Sequence, residues 1–173
     1  GRERIQTVLT SAAELLESIH DQTLELMNAG ATLDELIHTV AVPEHLSELP
    51  WLQPVYDEPE FVVRNLWRLY GGWYDGDPST LKPAPTADLA GELATLAGGA
   101  SVLADRAGEL SDLGDHRMAC HLAELAGRAA PEDPAIHRLR ARVYAARADH
   151  ERSAMAKGVY RWAQRESERV ADS

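Results

Sequence analysis

Cysteine is almost missing from this chain: Cys120 stands alone among 173 residues, which excludes an internal disulfide and any CxxC metal or redox pair. With Ala119 and Leu122 as neighbours it reads as a small buried residue rather than a reactive thiol. Long apolar runs are missing too. Nothing approaches the roughly 18 consecutive apolar residues of a membrane span, and the opening Gly1-Arg2-Glu3-Arg4 has no hydrophobic signal segment, so the expectation is a soluble chain, cytoplasmic rather than secreted. It begins without Met, as a processed or excised segment would. Basic charge is in deficit, with 17 Lys and Arg against 28 Asp and Glu; the net −11 opposes binding to nucleic-acid phosphates or anionic lipid, and no local basic cluster reverses it.

Strand-like alternation is also absent, and what fills the chain is helical periodicity. Ile5, Val8, Leu9, Ala12, Leu16, Ile19, Thr23 and Leu26 follow the three-and-four spacing of a long amphipathic helix that Gly30 ends. Thr32-Leu33-Asp34-Glu35 is a capping box for a short second helix through Val40, terminated by Pro43, and the chain to Pro54 reads as irregular. Asp57-Glu58-Pro59-Glu60 caps a helix running to Trp73. Three prolines between Pro78 and Pro85 mark a possible internal joint in what is otherwise taken as a single domain over residues 1–173.

Beyond the joint, Thr86 caps a helix to about Leu96, and Gly98-Gly99 interrupts before a second helix carrying Val102, Leu103, Ala107 and Leu110. Gly114-Asp115 restarts the chain into Met118 to Ala126, Pro131 to Pro134 makes a tight connector, and two further helices hold Ile136 to Tyr144 and Met155 to Trp162. The expected fold is all-α with seven to eight helices. Small residues at Ala119, Ala123, Ala141 and Ala145 beside Tyr144 suggest tetratricopeptide-like hairpin packing in the C-terminal half.

Seven histidines and many carboxylates make a metal site the first catalytic idea to test. The spacing is against it. Neither HExxH nor HxHxDH occurs; His20 and Asp21 are adjacent and diverge by about 100° around a helix; His116 and His121 also diverge; and His137 and His150 stand isolated on Arg-rich stretches. No GxSxG is present, and Cys120 has only His116 at helical spacing. Gly71-Gly72 and Gly98-Gly99 follow helices, where a phosphate-binding loop follows a strand. The Arg138, Arg140, Arg142 and Arg147 run reads as a solvated or salt-bridged helix face. No catalytic residue and no metal ligand is assigned to this segment.

Two features stand out from this background. His20-Asp21 lies in a polar run inside an amphipathic helix, either a satisfied network or a surface that another domain covers. Trp67 to Pro78 crowds aromatics, glycines and a proline together, and reads either as a core cluster closed by a turn or as a rigid aromatic loop at an interface or pocket rim.

Taken in order, Ile19-His20-Asp21-Gln22-Thr23, Pro43-x-x-Leu46, Tyr70-Gly71-Gly72-Trp73-Tyr74-Asp75-Gly76-Asp77-Pro78, the Gly114-Asp115-His116-Arg117 restart and the Pro131 to Pro134 turn resemble the helical dimerisation domain of alkyl sulfatases of the metallo-β-lactamase superfamily. The resemblance covers nearly the whole chain. Asp77 stands where that family usually has Asn, and Gly71 replaces a bulkier residue; neither breaks the turn. The resemblance implies a non-catalytic segment that pairs with itself and joins a preceding metallo-hydrolase domain, with zinc held there and no cofactor here. It also makes Tyr70, Trp73, Tyr74, Asp75, Pro78, His20 and Asp21 the candidates for an interface or the rim of the hydrolase pocket. The competing reading from the residues alone is a stand-alone tetratricopeptide-like adaptor.

Overall fold

The computed structural model describes all 173 residues, which form nine α-helices and no strand. They divide into two compact units, residues 1–82 and 83–173, with the boundary between Lys82 and Pro83. Each unit has its own core.

In the first unit, α1 (Arg2–Asn28) packs on α4 (Pro59–Tyr70) and α2 (Leu33–Thr39), burying Ile19, Leu36 and Val63 with Leu15, Leu26, Leu66 and Trp67 against them. The end of α1 is set by Gly30, whose φ of 88° lets its N–H and that of Ala31 turn back onto the carbonyls of Met27 and Leu26, each at 3.0 Å. Two residues on, the capping box closes. The Thr32 hydroxyl accepts from the Glu35 N–H at 3.3 Å, and the Glu35 carboxylate accepts from the Thr32 N–H at 2.7 Å, which lowers the Glu35 pKa.

Three local expectations change. The stretch after Pro43 is not irregular: it holds α3 (Glu44–Ser47) and a 3-10 turn at Pro50–Leu52, because a proline that cannot extend the helix before it is well shaped to start the next. The helix opening at Pro59 stops at Tyr70 rather than Trp73, since Gly71 caps it, and its start carries no side-chain cap; the Asp57 carboxylate accepts from the Glu58 N–H instead. Thr86 is likewise the first residue of its helix rather than its cap.

The second unit stacks α5 (Thr86–Ala97), α6 (Ala100–Asp112), α7 (His116–Ala129), α8 (Pro134–His150) and α9 (Ala154–Ala171), with α6 on α7, α7 on α8 and α8 on α9. Its core is built mostly of alanine. Ala104, Ala107, Ala119, Ala123 and Ala126 are buried beside Val143 and Ile136, and small contact residues are what lets neighbouring helices approach closely. Asp115, Asp133 and Ser153 cap α7, α8 and α9 with side-chain oxygens. Nine helices rather than seven or eight reflects α3, a single four-residue turn too short to give a periodic signal.

Candidate functional site

The segment after α4 is held from several sides. The Trp67 indole N–H donates to the Tyr74 carbonyl at 2.9 Å, and the Leu33 N–H donates to the Asp75 carbonyl at 3.1 Å, tying the loop to α4 and α2. The Asp75 carboxylate accepts from the Thr80 hydroxyl at 2.6 Å and the Asp77 N–H at 3.0 Å; these bonds, Thr80 first, lower its pKa. Asp77 caps a 3-10 turn that starts at Pro78 by accepting from the Ser79 N–H. Gly76, at φ 96°, lies so close to Thr32 that a Cβ there would sit 2.9 Å from the Thr32 methyl.

On this frame the aromatics separate. Trp67 packs into the core, whereas Trp73 is 76% exposed and Tyr70 55%, and Tyr74 is half-buried with its ring edge-on to Trp73 at 6.1 Å between centroids. A core cluster and an outward aromatic face are both present, carried by different residues.

His20 and Asp21 do not diverge as their adjacency suggested. His20 Nδ1 lies 2.9 Å from an Asp21 carboxylate oxygen, and Nε2 lies 3.2 Å from the Tyr70 hydroxyl. The imidazole is thus held at both ring nitrogens, between the Asp21 carboxylate and the Tyr70 hydroxyl, which fixes the ring's orientation against the phenol. The link joins two of the sequence candidates across 50 residues and places Tyr70 edge-on to His20, at 5.9 Å between ring centroids.

The second unit sharpens the expectations for its histidines and arginines. His150 is not isolated: its ring lies 4.1 Å from that of His116, a buried residue whose Nδ1 has no partner. Burial, then the neighbouring His150 and Arg147 charges, lower the His116 pKa. Of the two readings of the arginine run, the salt-bridged one holds: Arg142 and Arg147 pair with Asp112 and Glu151, and Arg140 is buried and donates to Glu124 from Nε at 3.1 Å and Nη2 at 2.7 Å, to the Ala163 carbonyl at 3.3 Å and to the Ser167 hydroxyl. His137 is buried with both ring nitrogens unpaired, although it sits in the same run. Cys120 is half-buried, and burial pushes its thiol up to about 11, so it is protonated and unreactive at neutral pH.

One feature carried no motif. An apolar groove of about 560 Å³ runs between α1 and the segment before α4, walled by Leu15, Leu16, Ile19, Trp51, Tyr56 and Val62, with the Trp51 indole N–H donating to the Ser11 hydroxyl at 2.9 Å. No three His, Cys, Asp or Glu side chains converge in a way that would hold a metal ion, and no helix is long and apolar enough to cross a membrane.

Residues 32–169 match the family described as alkyl sulfatase dimerisation. The chain belongs to that family. It is 36% identical over 145 residues to a linear primary-alkylsulfatase of Pseudomonas sp. (strain ATCC 19151), a stretch that is 83% of this chain and 28% of that protein. It is 29% identical over 140 residues to the alkyl/aryl-sulfatase BDS1 of Saccharomyces cerevisiae, covering 81% of this chain and 21% of the yeast protein. The solved structure of the stereoselective inverting sec-alkylsulfatase Pisa1 from Pseudomonas sp. superposes with a TM-score of 0.88 at 25% identity, over 96% of this chain and 27% of that one. The family match thus takes in α2 to α9 but not α1, and the chain spans only about a fifth to a quarter of those relatives' lengths.

Proposed function

We propose that this chain pairs with a second copy of itself and, within a longer alkyl sulfatase, holds two zinc-dependent hydrolase domains in fixed relation. The match over residues 32–169 carries this reading. Support comes from the surface: a chain with a net charge of −11 still leaves Ile5, Leu9, Leu16, Tyr70 and Trp73 more than half exposed, more apolar area than a solitary acidic domain needs. Sedimentation equilibrium of the chain at high micromolar concentration is expected to give the dimer mass, and a monomer mass throughout that range overturns the proposal.

The aromatic loop carries the second part. Tyr70, Trp73 and Tyr74, with His20, Asp21, Asp75 and Pro78 as their support, contribute to the rim of the hydrolase pocket, where an alkyl chain requires apolar walls. The loop's bonds to Trp67, Leu33 and Thr80 give such a rim its rigidity. In the full-length sulfatase, Trp73→Ala is expected to lower kcat/KM by about tenfold for long-chain sulfates, the scale of an apolar contact of one or two methylenes, and to leave short-chain substrates nearly unchanged. Equal effects at every chain length would remove Trp73 from the rim.

A further inference from the structure

The apolar seam of α1 is longer than the unit that covers it. Ile5, Leu9, Ala12, Leu16, Ile19, Thr23 and Leu26 alternate in steps of four and three, a strict heptad over three repeats. Its C-terminal half is satisfied within the unit, where Ile19 and Thr23 are buried and Leu26 packs on the core. Its N-terminal half keeps the same period yet leaves Ile5 62%, Leu9 65% and Leu16 53% exposed.

The charges around that half are arranged for a particular occupant. The flanking positions Gln6, Val8, Ala13 and Leu15 are uncharged, the seam's first position is the cation Arg2, and the nearest acids, Glu3, Glu14 and Glu17, lie at least about 110° around the helix from the seam's midline. A self-contact brings like charges together, so in a chain with 28 acids it is tolerated only where acids are absent. A 3.5-residue period is also the signature of a helix partner crossing at a shallow angle. The exposed apolar stripe Met155, Val159 and Trp162 on α9 ends at an acid, Glu166, whereas the α1 seam ends at Arg2.

We infer that the Ile5-Leu9-Leu16 face of α1 is the two-fold contact, meeting the same face of a second copy. This rests on the dimer proposed above and goes further by naming the surface. The test is sedimentation equilibrium of the chain and of two single variants, with far-UV circular dichroism confirming helix content. Leu9→Glu sets like charges against each other at the seam and is expected to weaken the dimer at least about 100-fold, while Val159→Glu on α9 changes it less than about threefold. A Leu9→Glu chain that dimerises like the parent overturns the assignment of the face while the dimer stands, as does a Val159→Glu chain that dissociates. A monomeric parent chain overturns both.

Discussion

Arg140→Met is expected to destabilise the second unit by about 3 kcal/mol, the low end for breaking a buried ion pair. The guanidinium donates both to α7, through Glu124, and to α9, through the Ala163 carbonyl and the Ser167 hydroxyl. Removing it leaves Glu124, whose side chain is 30% exposed, with the Tyr144 hydroxyl at 2.9 Å and Arg128 at 3.0 Å, which is why the cost is not larger. Urea unfolding followed by circular dichroism measures it. Replacing both partners, Glu124→Met with Arg140→Met, is expected to cost less than the sum of the singles, because the charges then left over, Arg128 and Glu166, are each 42% exposed and hydrated rather than buried. An Arg140→Met chain as stable as the parent would reduce the network to decoration.

The same pair sets an acid limb. Burial alone raises the Glu124 pKa, but the hydrogen bonds and charge of Arg140, with Tyr144 and Arg128, outweigh it and leave the pKa lowered. A carboxylate whose folded pKa is depressed contributes stability that is fully present above its unfolded value of about 4.3 and is lost as pH falls through the folded one. Stability of the parent therefore declines below about pH 4.3, and in Arg140→Met that decline is shallower.

Gly76→Ala is expected to cost about 3 kcal/mol, combining about 1–2 kcal/mol for a side chain at positive φ with the strain of an overpacked contact. The new methyl would meet Thr32 Cγ2 at 2.9 Å and Cβ at 3.2 Å, so either the loop or the N-cap of α2 must shift. Gly72→Ala is the control. Its φ of 88° is similar but nothing lies within 4 Å, so only the backbone cost of about 1 kcal/mol remains. Urea unfolding followed by tryptophan fluorescence separates the two, and equal losses would mean that the approach to Thr32 carries no weight.

Local signals in the sequence were sufficient for most of the fold. The capping box at Thr32, the turn at Gly30 and the restart at Asp115 each rest on residues within five positions of one another, so one stretch of chain contains the whole cause. What stayed hidden depends on partners that the fold brings in. His116 and His150 meet because the start of α7 lies beside the end of α8, and neither helix alone announces it. Arg140 looks like its exposed neighbours in the run until Glu124 and Ser167 close around it. The groove beside Trp51 arises where two weak turns fold back on α1, each too short for periodicity to register. At the candidate site the aromatic loop was legible as a unit. The bond from His20 to Tyr70 was not, since it spans 50 residues.

The alanine core of the second unit implies that the two halves of the chain drift differently over evolutionary time. In the first unit, Ile19, Leu36 and Val63 leave room for exchanges among aliphatic side chains of similar volume, which cores absorb at modest cost. Around Ala107, Ala119, Ala123 and Ala126 almost every available mutation enlarges the residue and forces helices apart, so that half accumulates substitutions slowly and mainly at its surface. Distant relatives are accordingly expected to remain alignable longest through α6, α7 and α8, whatever becomes of the chemistry attached to them.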